Sequence, residues 1–185
     1  MRERSCGRCS QGLPAAGKLA EKSQRAEKMS DANPAGDWPP NIQAVFKRMA
    51  PASRYLGLEI LEADKENRTV KVAFNATADL CNMWGGIQGG MVAAMLDDVM
   101  SLAVGLDLEW GQISPTLELK VSMLNAARPG RIIGTGRVIK RGKSVGFIEG
   151  ELTDEASGKL LATGSSTATF VTLKKKAPEG EGAQA

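Results

Sequence analysis

One segment limits the possible folds more than any other. From Met91 to Val104 there is neither proline nor glycine, and apart from Asp97, Asp98 and Ser101 every residue is apolar. The pattern predicts a helix over 90–104, ended by a glycine cap at Gly105. A helix that is apolar almost all round is buried rather than laid on a surface. It is too short and too often interrupted to cross a bilayer, which takes about 20 apolar residues. The rest of the chain must therefore cover it.

The flanking sequence supplies that cover. Asn41 is placed to cap a short helix whose apolar residues Ile42, Val45, Phe46 and Met49 fall at helical spacing, with Pro51 stopping it. Leu56–Ala63 and Thr69–Asn75 read as strands, followed by a loop over Leu80–Gly90 that holds four glycines. After the long helix come four strand-like runs, Thr116–Leu124, Arg131–Lys140, Ser144–Leu152 and Leu160–Leu173. Turns at Arg128-Pro129-Gly130, Arg141-Gly142-Lys143 and Asp154–Lys159 join them, so consecutive strands pair antiparallel. The expected class is α+β, with an antiparallel sheet of five to six strands wrapped around one long central helix. Such a sheet covers one face of the helix and leaves open edges that invite a second copy, as a homodimer or homotetramer.

Composition excludes several chemistries. The chain of 185 residues has no histidine, so it holds no Ser-His-Asp or Cys-His nucleophile system and lacks the commonest metal ligand. Three cysteines, Cys6, Cys9 and Cys81, do not complete a four-thiolate zinc site, and Cys6-x-x-Cys9 sits in a polar tail without strand-to-helix context. No metal and no cofactor are expected. The net charge of +3 is concentrated in residues 1–28, where seven Lys/Arg face three Glu, which leaves about −1 for the remainder. A near-neutral domain argues against a nucleic-acid surface. Residues 1–40 and 174–185 read as disordered ends around a domain at 41–173, and Met29 offers an alternative start. The basic beginning has no apolar stretch of the kind a secretory signal carries. The expected location is the cytoplasm, away from any membrane.

Within the apolar helix, Asp97 shares a face with the small residues Ala93, Ala94 and Ser101. A buried carboxylate without a partner costs several kcal/mol, roughly, so it must be satisfied or used. Asp98 reads as its solvated or salt-bridged neighbour. Upstream, Gly89 and Gly90 open the helix, where free backbone N–H groups and the positive end of the dipole favour a developing oxyanion. A thioester carbonyl bonded to those amides and a carboxylate two turns on would suit attack by water.

The run Asn82-Met-Trp-Gly-Gly-Ile-Gln88-Gly-Gly-Met-Val-Ala-Ala-Met-Leu-Asp97 resembles the signature of the phenylacetate-pathway-type (PaaI-like) hotdog thioesterases. There an Asn stands six residues before a His-Gly-Gly, and an Asp nine residues after the His. The resemblance extends over residues 41–173 and implies a hotdog fold that hydrolyses acyl-CoA. It implies Asp97 as general base or nucleophile, with both roles open. It further implies Gly89, with Gly90, as the polarising backbone, Asn82 acting across a subunit interface, and Thr116 assisting the water. Gln88 replaces the family's His; it can orient a thioester but cannot transfer protons.

Coenzyme A needs a basic rim, and Lys140, Arg141, Lys143 and Ser144 form the candidate, with Arg128 and Arg131 flanking another turn. Met83, Trp84, Met91, Met95 and Met100 line an acyl tunnel or simply fill the core. Two competing readings remain at this level. A hydratase on the same fold generally relies on a His, which is absent. An acyl-CoA-binding module without turnover would bind the ligand and release no thiol.

Overall fold

Proline marks the first boundary. The helical residues before it end at Lys47, and Pro51 itself opens a second helix, α1 (Pro51–Tyr55), where its missing N–H costs nothing. The structure, a computed structural model, describes residues 42–43, 47–109 and 111–173, all within one unit spanning Asp37–Ala185. Ile42 and Gln43 are helical as expected, whereas Asn41, Val45 and Phe46, like both terminal extensions, lie outside the described residues.

From α1 the chain runs through β1 (Leu58–Asp64) and β2 (Thr69–Ala76), then a single 3-10 turn at Ala78–Leu80, to the long helix α2 (Gly89–Gly105). A two-residue strand, β3 (Gln112–Ile113), precedes β4 (Thr116–Met123), β5 (Gly130–Arg141), β6 (Val145–Asp154) and β7 (Leu160–Thr169). The expected last strand is interrupted at Phe170, and Val171–Thr172 (β8) leaves the main sheet to pair with β3. The main sheet has six antiparallel strands in the order β1-β2-β5-β6-β7-β4, wrapped on α2. This is the hotdog arrangement.

Gly105 is not the cap that was expected. The helix runs through it and hands over to Leu106 in a right-handed conformation. Leu106 is fully buried, so the chain continues inward and needs no left-handed reversal there. Nor is α2 buried all round. Val92, Met95, Leu96, Val99, Met100 and Ala103 are buried, while Asp97 is half-buried and Gly90 and Ser101 are exposed. The sheet closes over one side and leaves an open strip on the other.

The helix lies unusually close to the sheet. Gly136, Gly150 and Gly164 sit side by side on β5, β6 and β7. A side-chain carbon at Gly136 would stand 2.5 Å from the carbonyl oxygen of Val99, and one at Gly150 would stand 2.8 Å from Cγ of Met100. Glycine is required wherever one backbone approaches another this closely. Phe74, Ile132, Ile148 and Leu152 complete the core around this contact, each fully or almost fully buried. Each such side chain contributes about 1.5–3 kcal/mol by leaving water.

Candidate functional site

The open strip of α2 and the edge strand β4 carry two of the candidate residues, Asp97 and Thr116. Strand alternation alone would turn Leu117, Leu119, Val121 and Met123 to one face. Leu119 and Val121 do pack on the core, but Leu117 is 61% exposed. A bulge between Thr116 and Glu118 shifts the phase, so Thr116 pairs with buried Ala168 and turns inward. Bulges of this kind re-aim side chains. The Thr116 hydroxyl thereby donates to Oδ1 of Asp97 at 2.9 Å. Two residues singled out in the sequence are brought together, one from the helix and one from the strand.

Asp98 corrects the expectation for it. It is half-buried, like Asp97, and has no ion pair among the described residues; its Oδ2 is shut away from water without a hydrogen-bond partner. Burial pushes its carboxyl above the usual range, opposed by a hydrogen bond with Ser53 of α1 and reinforced by the nearby charge of Asp97. Only its position beside Asp97 marked it in the sequence, and that position gave no sign of which way the side chain faces.

Upstream of α2, the loop folds into a small clasp. Asn82 N–H donates to Gly86 O at 2.8 Å, Gly85 N–H donates to Asn82 O at 3.0 Å, and the Asn82 side-chain oxygen accepts from Trp84 N–H at 3.0 Å. Asn82 thus shapes the loop and lifts Met83 and Trp84 to its exposed tip, while Met95 and Met100 are core. Gln88 is the N-cap of α2 and is exposed, with no capping bond from its side chain. The Gly89 and Gly90 N–H groups have no acceptor among the described residues. Met123 lies against Gly89, its Cε 3.0 Å from where a side-chain carbon would be. Nothing stands within 4 Å of such a carbon at Gly90.

The sequence reading expects a homodimer or homotetramer with active sites at the subunit interface, and the spacing of the two groups along α2 bears on that expectation. Gly89 and Asp97 stand on the same helix, separated by about 12 Å along its axis. A hydrogen bond and a nucleophilic approach to one carbonyl group each span about 3 Å. Within one copy of the chain, Gly89 and Asp97 do not reach a single carbonyl group.

The basic rim is also rearranged. Arg131 is engaged by Glu59 at 2.6 Å and Glu155 at 3.0 Å, at the far end of β5, and does not belong to it. Lys140, Lys143 and Ser144 are exposed at the β5–β6 turn. That turn sits at the same end of the sheet as Thr116, since Thr169 N–H donates to Pro115 O and Thr169 Oγ1 donates to Ser144 O. Arg141 is not a free cation: its guanidinium lies 3.4 Å over the ring of Phe170 and donates to Gly142 O at 2.6 Å. Phe170 went unnoticed in the sequence, where a single aromatic at a strand end carries no signal. A groove of about 500 Å³ lined by Lys120, Thr135, Arg137, Glu149, Thr163 and Ser165 lies on the outer face of the sheet, away from Asp97. Among the described residues no helix is long and apolar enough to cross a membrane.

Comparison with known proteins agrees with this fold. The thioesterase superfamily profile matches residues 85–161. Human acyl-coenzyme A thioesterase 13 is 32% identical over 131 residues, 69% of this chain and 92% of that protein. A phenylacetic acid degradation-related protein of Ralstonia eutropha JMP134 is 35% identical with a TM-score of 0.65, covering 70% of this chain and 98% of that one. The Escherichia coli PaaI protein shares the fold at 19% identity, with a TM-score of 0.64 over 71% of this chain and 91% of that one. With the sheet-wrapped helix and its inward Thr116–Asp97 pair, these likenesses make the chain a member of the thioesterase superfamily, a thioester hydrolase of the hotdog fold.

Proposed function

We propose that two copies of this chain hydrolyse acyl-CoA thioesters in the cytoplasm, at sites shared between them. The observation that carries this reading is the Asp97–Thr116 hydrogen bond at the open strip of α2, with the free Gly89 and Gly90 amides too far away on the same helix to serve it. A second copy related by a two-fold axis near Ala93 sets one Gly89 opposite the other Asp97. The residues facing that axis favour a close approach of two helices: Gly90, Ala94 and Ser101 are small, and the strip is uncovered. The eight-residue edge strand β4, largely exposed, is open to pair with its own copy.

In this arrangement the Gly89 N–H, aided by that of Gly90, donates to the thioester oxygen and stabilises the charge that develops there. Gln88 and Asn82 hold the loop and orient the substrate. Asp97 of the other copy activates water as a general base, or attacks the carbonyl itself to form an anhydride that water then opens. In the base route the carboxylate takes a water proton, the hydroxide adds to the carbonyl carbon, and the C–S bond breaks to release coenzyme A thiolate. Thr116 donates to Asp97 and keeps its second oxygen aimed at the water. Lys140, Lys143 and Ser144 stand at the mouth for the phosphates of the coenzyme.

The test is thiol release from a panel of acyl-CoAs by wild type and Asp97→Asn. Asparagine is nearly isosteric but is neither base nor nucleophile, so turnover falls by at least about a hundredfold while the fold survives. Full turnover by Asp97→Asn would remove the mechanism. Coenzyme A binding without turnover on any thioester would favour a binding module.

A further inference from the structure

We propose that Arg141 and Phe170 form a stacking platform for the adenine ring of the coenzyme, so that Arg141 reads the base and not a phosphate. This rests on the acyl-CoA reading above and names the part of the substrate that one end of the sheet recognises.

The placement comes from strand register. Thr116 pairs with Ala168, Ala168 with Gly146, and Gly146 with Arg141. These four residues form one row across β4, β7, β6 and β5, and Arg141 stands three strand spacings, about 14 Å, from Thr116. Ala168 and Gly146 are buried, on the face of the sheet that carries α2. Arg141 joins that face through a second bulge, between Val138 and Lys140, which leaves Ile139 and Lys140 exposed and turns the next residue inward. The row begins at Thr116, whose hydroxyl is bonded to Asp97, crosses two residues with almost no side chain, and ends at a planar cation.

That cation is held flat. Its guanidinium lies 3.4 Å over the Phe170 ring, and its Nη1 is fixed on Gly142 O. A guanidinium clamped on one face and along one edge is poorly placed to fork around a phosphate, but it offers its other face to a flat, electron-rich ring. The seat is built for this purpose. Phe170 N–H donates to Ser144 O at 3.2 Å, and a side-chain carbon at Gly146 would stand only 2.9 Å from Cζ of Phe170, so the ring requires glycine beneath it. Lys140 and Lys143, exposed on either side, remain as the point charges for phosphate.

The experiment compares an acyl-CoA with the same acyl group on phosphopantetheine, which lacks the nucleotide. The variants are Arg141→Lys, which keeps the charge and loses the plane, and Phe170→Leu, which keeps an apolar seat and loses the ring. Each raises KM for acyl-CoA about tenfold and leaves kcat and KM for acyl-phosphopantetheine within about twofold. An unchanged KM for acyl-CoA in Arg141→Lys, with both substrates weakened in Arg141→Ala, would make Arg141 a phosphate ligand and overturn the platform. Equal losses of kcat on both substrates would reduce the pair to structural support. Should wild type hydrolyse no thioester, the acyl-CoA reading fails separately. Calorimetric titration with adenosine 3′,5′-bisphosphate then decides: weaker binding by Arg141→Lys upholds the platform, and equal binding refutes it.

Discussion

Gly136→Ala is the substitution whose cost the structure specifies most closely. The added carbon would stand 2.5 Å from the Val99 carbonyl oxygen and 3.0 Å from its carbon, where 3.4 Å or more is ordinary. Both sides of the clash are backbone, so no side chain can rotate away, and α2 must lift by roughly 0.9 Å, the shortfall from that ordinary contact. Lifting the helix loosens Met95, Leu96, Val99 and Met100 together, all fully or nearly fully buried. Overpacking costs about 1–3 kcal/mol, and a backbone clash under a central helix belongs at the upper end, about 3 kcal/mol. In a domain of this size about 4 °C of melting temperature follows each kcal/mol, so thermal denaturation should show a fall of about 12 °C. Asp97 rides on the same helix, so the surviving folded fraction should also turn over more slowly. Gly134→Ala meets only side chains of Phe74, Val72 and Leu152 at 3.1–3.2 Å and should cost about 1 kcal/mol. A Gly136→Ala protein melting within about 2 °C of wild type would refute the claim that the glycine row sets the height of α2.

Thr116→Val keeps the shape and deletes the hydroxyl bonded to Asp97; kcat should fall about ten- to a hundredfold with an unchanged melting temperature, read by steady-state kinetics and calorimetry. Mixing Asp97→Asn with Gly89→Pro protomers, the second lacking the N–H at a first helical position that accommodates proline and each inactive alone, should restore about a quarter of wild-type activity after co-refolding, because half of the dimers regain one complete site; no recovery would place each site within one chain. Asp98→Asn should raise the melting temperature at pH 7. Burial raises the folded-state pKa of Asp98 above its unfolded value of 3.8, so the folded state binds the extra proton. Its stabilising contribution is complete below that unfolded value and is lost as pH rises through the folded one. The gain from the amide should therefore shrink towards pH 4 in melting curves taken across pH 4–8.

The elements were legible because their periodicities were strong. The apolar run before Gly105 and the alternation of β5 and β6 locate the helix and strands within a residue or two. The Asn82, Gln88 and Asp97 spacings mark the two ends of the proposed site. What escaped the sequence was phase and direction. Alternation gives Thr116 the outer face, and only the paired partner strand shows the extra residue that turns it inward. Asp97 and Asp98 are indistinguishable by composition and both half-buried; the difference is that Asp98 meets Ser53 of α1 with its Oδ2 shut away from water, whereas Asp97 meets Thr116. Pro51 follows the end of one helix, as its sequence predicts, and also opens the next, because the first turn of a helix accommodates proline. The separation of Gly89 from Asp97 was computable from helix rise alone and needed no structure.

The two bulges have a consequence for how such a chain can change. Each works as a frameshift in a strand: on one side of it odd-numbered residues look inward, on the other even-numbered ones do. Thr116 and Arg141 both lie past such a shift, at the same end of the sheet. Their orientation is therefore encoded by a count of residues and not by their own identity. Shortening either strand by one position would hand their places to Pro115 and Gly142, or to whichever neighbour slid in, while the core stayed as it is. In lineages descended from such a chain, single-residue gaps at these two points would separate active from silent members more sharply than substitutions at the residues themselves.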